Sequence, residues 1–218
     1  VGSEMCIRDR RERLPVWGAW NGRSVRSMTT NIVIVGVGGQ GTLLASRILG
    51  HIAMENGYDA RVSEVHGMSQ RGGSVTTYVR MSAAERLYST IVEQEQADFV
   101  LAFETLEALR ALPYLKKDGL MIVNTQQILP MPVITGAAEY PEDALARVRA
   151  AADTVALDAV GIAEQCGTFR AANVVLLGVL AKRMQFPAEQ WREAIRALVK
   201  PQFAQWNLDA FEEGYRRG

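Results

Sequence analysis

Cysteine is almost missing from this chain: Cys6 and Cys166 are the only two in 218 residues. An iron–sulfur cluster usually takes four thiolates and a structural zinc site a similar donor set, so any redox cofactor of that kind has to sit on another chain. An excess of charge is missing too. Lysine plus arginine equals aspartate plus glutamate at 24 each, which leaves no net field to recruit nucleic acid or an anionic membrane. No apolar run approaches the ~18 residues of a spanning helix, and the N-terminus lacks the apolar core of a secretory signal. The expectation is a cytoplasmic protein with neither membrane nor nucleic acid as partner. Internal repeats and linkers rich in Gly, Ser or Pro are absent as well, so one domain is the economical reading. What remains is 48% hydrophobic and 22% charged, enough to bury a sizeable core.

Residues 1–27 differ from the rest. Arg8, Arg10, Arg11, Arg13, Arg23 and Arg26 stand there against Glu4, Asp9 and Glu12, with no hydrophobic period. A mitochondrial transit peptide is poor in acidic residues, which argues against that assignment. The opening VGSEMCIRDR resembles translated adapter sequence. Residues 1–27, Trp17 and Trp20 included, are therefore expected to be a non-native or disordered extension, with the natural start at Met28 and the folded domain over 28–218.

The stretch NIVIVGVGGQGTLLASRILG, residues 31–50, is where structure and chemistry first coincide. A β-branched run, Ile32 to Val35, meets Gly36, Gly38, Gly39 and Gly41, and an amphipathic helix begins with Thr42 as the expected N-cap. Gly36, Gly38 and Gly41 satisfy the GxGxxG spacing of dinucleotide-binding folds. Such a junction leaves unpaired N–H groups at the positive end of a helix dipole, beside backbone with no Cβ in the way, and so forms an anion cradle. Gly36 and Gly41 read first as turning and helix-to-sheet packing residues, whereas Gly38, Gly39 and Gln40 at the tip serve either packing or a ligand.

From Met28 onward strands and helices alternate, as a parallel sheet with covering helices requires. Strands are predicted at 31–36, 60–65, 74–81, 98–103, 119–124 and 154–158, and helices at 42–56, 104–112, 142–151, 159–166, 171–184, 188–199 and 202–214. The expected fold class is α/β, a Rossmann-like open and mostly parallel sheet with helices on both faces. In the helix 188–199, Trp191, Ala194, Ile195, Leu198 and Val199 make one apolar stripe after Pro187.

A second polar constellation, VSEVHGMSQRGGSVTTYVRM, spans residues 62–81. It begins where the second strand should end, which places it at the carboxyl edge of the sheet beside the glycine loop. His66, Ser69, Gln70, Arg71, Gly72 and Gly73 are its candidate binding residues. A histidine such as His66 is a candidate acid or base, and the Arg71 fork suits a phosphate or carboxylate that the two glycines let come close. A polar loop with two glycines also simply turns a chain, and a histidine without an Asp or Ser partner is ordinarily a structural hydrogen-bonder. No residue has the setting of a nucleophile or an essential proton carrier, so no catalytic or metal-binding residue is named.

Four segments carry a resemblance: GVGGQGTLLASRILG, SEVHGMSQRGGSV, KKDGLMIVNTQQILPMPV and AANVVLLGVLAK. They resemble the family formed by the indolepyruvate ferredoxin oxidoreductase beta subunits and the gamma domains of the pyruvate and 2-oxoacid:ferredoxin oxidoreductases, over residues 28–218. The resemblance implies a subunit of a complex that converts an aryl 2-oxoacid, coenzyme A and oxidised ferredoxin into aryl-acetyl-CoA, carbon dioxide and reduced ferredoxin. It also implies that thiamine diphosphate, its Mg2+ and the 4Fe-4S clusters belong to an alpha subunit, so that this chain alone is inactive and meets ferredoxin only through the complex. Gly36, Gly38, Gly39, Gln40, Gly41, Thr42, His66, Ser69, Gln70, Arg71, Gly72 and Gly73 are the residues placed at its cofactor-facing edge. Two other readings stay open. A self-sufficient NAD(P)-dependent oxidoreductase would use Glu64, near the expected end of the second strand, to hold a ribose, although no catalytic Tyr and Lys pair follows. A purely scaffolding subunit would carry the glycine loops without a ligand.

Overall fold

The first strand is nearly continuous β-branched sequence because both of its faces are covered. In the computed structural model, which describes residues 29–67 and 72–218, β1 runs over Thr29–Val37, and Ile32, Val33 and Ile34 are fully buried. The extension with Trp17 and Trp20, the expected start Met28, and Ser69, Gln70 and Arg71 lie outside the described residues.

After β1 come α1 (Thr42–Glu55), β2 (Asp59–His66), β3 (Ser74–Ser82), β4 (Ala97–Ala102), α2 (Thr105–Ala111), β5 (Leu115–Asn124), α3 (Met131–Ile134), α4 (Ala144–Ala151), β6 (Asp153–Leu157), α5 (Ala159–Gln165), α6 (Ala172–Arg183), α7 (Ala188–Leu198) and α8 (Pro201–Arg217). Each strand expected from the sequence forms. The sheet order is β2-β3-β1-β4-β5-β6. Strands β1, β4, β5 and β6 are parallel, as expected, whereas β3 runs antiparallel to both β1 and β2. The reason is chain length: residues 67–73 are too few for a crossover, which needs a dozen or more, so β2 and β3 pair as a hairpin. The short α3 had no periodic signature and was not anticipated.

Alternation along β1 divides the core in two. Ile32 and Ile34 join Ile48, Leu49, Ile52, Leu176, Trp191 and Phe211 under α1 and the C-terminal helices. Val33 and Val35 join Tyr78, Val100, Met121, Val123 and Val148 under α2 and α4. Helix α6 is buried from Asn173 to Ala181, apolar all round as an internal helix must be. It meets α8 so closely that side chains at Gly178 and Gly214 would run into Phe211 and Val175 backbone oxygens. On α7 the expected stripe forms with Trp191, Ala194 and Ile195 buried, while Leu198 at its end stays exposed. This scaffold brings the carboxyl ends of β1, β2, β4 and β5 to one edge.

Candidate functional site

At that edge β1 turns sharply. Val37 carbonyl accepts from Gln40 N–H at 3.1 Å, and Gly39, at φ +104°, has the positive φ the turn needs. Helix α1 is capped by Gly41, φ 85° and ψ 28°, and not by Thr42, which is already the first helical residue. The left-handed cap leaves no room for a side chain, because a Cβ there would overlap the amide of Asn173 at the start of α6. That amide donates to the Gly41 carbonyl at 3.1 Å, and the buried Asn173 Oδ1 has no partner among the described residues.

Gln40 turns inward. Its Oε1 accepts from Val37 N–H at 2.7 Å, and its Nε2 donates to Phe103 carbonyl at 2.9 Å and Gln126 Oε1 at 3.2 Å. The residue braces the loop against the ends of β4 and β5. The second loop is tied in from the other side: Gly38 N–H donates to Gly73 carbonyl at 2.9 Å, and the Ser74 hydroxyl donates to buried Glu107 at 2.5 Å. The structure therefore joins the two sequence-predicted loops directly.

Between them lies a cleft of about 360 Å³ lined by Gly38, Gly39, Gly41, Thr42, Glu64 and His66, with Leu43 and Val75 at its sides. Among the described residues nothing lies within 4 Å of a Cβ placed at Gly39, or at Gly72 with its φ of +75°. Two findings revise the anion cradle read from sequence. The Val37 and Gly38 N–H groups are already bonded within the protein. A carboxylate also stands at the positive end of α1: Glu64 Oε2 accepts from Thr42 Oγ1 at 3.4 Å and from Thr77 Oγ1 at 3.3 Å. The carboxylate answers the helix dipole from within the chain. His66 is exposed, its Nδ1 3.4 Å from Gly67 carbonyl.

Residues that the sequence reading passed over complete the edge. Buried Glu104, at the end of β4, caps α2 by accepting from Glu107 N–H at 2.9 Å. It also accepts from Ile128 N–H at 3.1 Å and from the Tyr140 hydroxyl at 2.6 Å. Burial, and then the bond to Glu104, push the Tyr140 hydroxyl well above the ordinary tyrosine range. Asn124 links Phe103 carbonyl to Ala159 N–H at 3.0 Å each. The sequence placed Glu104 as the first residue of a helix over 104–112, whereas it is the N-cap of a helix that begins at Thr105.

Comparison with known proteins agrees with this architecture. The family model for pyruvate ferredoxin/flavodoxin oxidoreductase matches residues 31–217. The indolepyruvate oxidoreductase subunit IorB of Thermococcus kodakarensis is 44% identical over 192 residues, 85% of this chain and 94% of that protein. Among solved structures, the gamma subunit of a keto/oxoacid ferredoxin oxidoreductase from Geobacter sulfurreducens superposes with a TM-score of 0.65 at 24% identity, covering 86% of this chain and 97% of that one. A 2-oxoglutarate:ferredoxin oxidoreductase from Magnetococcus marinus superposes at 0.66 and 17% identity, covering 88% of this chain but 31% of that one.

Proposed function

The chain belongs to the pyruvate ferredoxin/flavodoxin oxidoreductase family, as a beta-type subunit of a 2-oxoacid:ferredoxin oxidoreductase, and from that premise we propose that its complex acts on indolepyruvate and related aryl 2-oxoacids. The reaction consumes the 2-oxoacid, coenzyme A and oxidised ferredoxin and yields aryl-acetyl-CoA, carbon dioxide and reduced ferredoxin. What supports the aryl substrate is the 44% identity to a named indolepyruvate subunit over nearly its whole length. A larger alpha subunit holds thiamine diphosphate, Mg2+ and the 4Fe-4S clusters in this reading. The donor set of this chain does not suit those groups: it has two cysteines in all, and among the described residues no cluster of three or more His, Cys, Asp or Glu is placed to hold a metal. When bound on the partner, thiamine diphosphate supplies the carbanion chemistry and the clusters carry the electrons.

The part we assign to this chain is binding and exclusion of water at the edge of the shared site. The observation that carries it is the cleft where the glycine loop and the β2–β3 loop are bonded together through Gly38 and Gly73. Gly39, Gly41 and Thr42 present backbone there, Glu64 and His66 present polar side chains, and Ser69, Gln70, Arg71 and Gly72 are the further binding residues we assign from the sequence. Gly36 and Gln40 support the loop from within: a Cβ at Gly36 would come within 2.8 Å of Gln40 Oε1. No helix of the described residues is long and apolar enough to cross a membrane, and we place the complex in the cytoplasm.

Co-expression with the larger subunit, followed by a survey of 2-oxoacids with a viologen acceptor, tests this reading. Indolepyruvate should be turned over best by the complex, and neither chain should act alone. Turnover by this chain in isolation, or a complex that prefers pyruvate, overturns it. In the same assay Arg71→Ala should raise the KM for coenzyme A or the 2-oxoacid roughly ten- to a hundredfold, the loss of one charge-assisted bond of ~1.5–3 kcal/mol. Arg71→Lys should restore part of that loss. Wild-type kinetics from both would leave the loop a scaffold only.

A further inference from the structure

Strand β5 ends at Asn124, and the next long helix, α4, begins at Ala144. The two ends of the intervening loop, Ile128 and Tyr140, are held by the same atom: Glu104 Oε1 accepts the Ile128 N–H at 3.1 Å and the Tyr140 hydroxyl at 2.6 Å. Glu104 is 1% exposed, and a bond to a buried carboxylate is among the stronger kinds of hydrogen bond. Inside the loop Pro130 and Pro132 restrict the backbone, and α3 closes on the Pro130 carbonyl through Val133 and Ile134 N–H at 2.9 and 3.1 Å. This fixed loop holds apolar side chains out in water: Leu129 is 50% exposed, Met131 65% and Ile134 62%. Their exposure contributes nothing to the fold, and a surface already ordered loses little conformational freedom when it is covered.

We propose that this stapled loop, together with exposed Leu43 and Val65 on the same edge, is the surface that the larger subunit of the complex covers. The proposal rests on the functional reading above and adds the place of docking. Continuity with the site supports it, since Gln126, just before the loop, meets Gln40 of the glycine loop at 3.2 Å. Charge supports it as well. Glu64, exposed, lines the cleft with Leu43, and exposed Glu139 and Glu142 follow the loop in the chain, so the complementary surface is apolar with lysine or arginine around it. A second copy of this chain would bring the same acidic set to the contact. In the Magnetococcus protein, moreover, the matching fold is 31% of one chain, so there it continues into the rest of that polypeptide, an arrangement that separate subunits reproduce by docking.

The test uses the full chain and its co-expressed larger subunit, measuring the dissociation constant and the melting temperature of the free chain. Met131→Asp with Ile134→Asp should weaken association at least about tenfold, with the melting temperature unchanged because both side chains are exposed. Tyr88→Asp, on the loop between β3 and β4 at the opposite edge and 89% exposed, should associate like wild type. Wild-type association by the double variant, or equal weakening by Tyr88→Asp, overturns the docking site while leaving the functional reading in place. So does a self-association of the chain that the double variant alone abolishes. A wild-type chain that never binds the larger subunit overturns the functional reading itself, and the docking site with it.

Discussion

Substitution of Gly41 by alanine should be a folding lesion, and its size can be worked from the geometry of the cap. Gly41 sits at φ 85° and ψ 28°, a left-handed conformation that costs an alanine about 1–2 kcal/mol. The new Cβ would also overlap the Asn173 amide nitrogen. Moving that side chain breaks its 3.1 Å bond to the Gly41 carbonyl and leaves a buried amide with neither end paired, since Oδ1 already lacks a partner among the described residues. An unsatisfied buried group costs about 1–3 kcal/mol, so the total is about 2–5 kcal/mol, or roughly 4–20 °C in melting temperature for a domain of this size.

Asn173→Ala separates the two parts. It removes the clashing amide together with the orphaned oxygen, and the Gly41 carbonyl keeps its bonds from Leu44 and Ala45 N–H at 3.1 and 3.2 Å. The remaining Cβ of residue 173 lies 3.9 Å from the added carbon, an ordinary contact. Denaturant unfolding of the two single variants and the double variant should therefore show that the double loses less than the sum, by at least about 1 kcal/mol. Additive losses, or a Gly41→Ala chain as stable as wild type, would refute the account of the cap. Gly39→Ala is the control: its φ of +104° is strained, but nothing lies within 4 Å of the added carbon, so only the backbone part of the loss should appear.

Glu64→Gln keeps an acceptor for the Thr42 and Thr77 hydroxyls while removing a negative charge from the cleft. If an anionic group of coenzyme A or the substrate sits at the start of α1, its KM should fall about two- to tenfold, and more so at low salt; an unchanged or higher KM would place the anion elsewhere. Gly214→Ala pushes a methyl into the Val175 carbonyl at the α6–α8 contact and should destabilise by about 1–3 kcal/mol or more, as read by urea unfolding, with an unshifted midpoint counting against the close approach. Burial, then the 3.2 Å bond to Tyr114, push the Tyr78 hydroxyl from 10.0 up to about 12. Its contribution to stability is full below pH 10 and is lost as pH rises through about 12. Unfolding measured from pH 9 to 12 should show that decline, and Tyr78→Phe should flatten it.

The strands, the main helices and the edge where the loops gather were legible because they rest on local pattern: β-branched runs, apolar periods and turn residues close together in the chain. The antiparallel direction of β3 was not read from the sequence, where alternating elements suggested a parallel sheet; the short connection over 67–73 is what forces it. What the sequence could not show is where side chains go after folding. The Gln40 amide finds Phe103 and Gln126, and the Glu104 carboxylate finds Ile128 and Tyr140, partners that no local period connects.

Those distant bonds alter the chemistry inferred from local pattern. A strand-glycine-helix junction is an anion cradle only while its N–H groups are free, and here Val37 answers Gln40, Gly38 answers Gly73, and a carboxylate faces the helix start. The glycines therefore act first as hinges that let two loops and a helix cap approach one another. In the functional reading proposed above, a ligand would meet the combined surface of Gly39, Thr42, Glu64 and His66 in the cleft at the carboxyl edge of the sheet, the edge that also carries exposed Leu129, Met131 and Ile134. If the larger subunit docks on those apolar groups as proposed, the same contact would also draw water from the cleft and so couple assembly to catalysis, with this chain contributing binding and not bond-making chemistry.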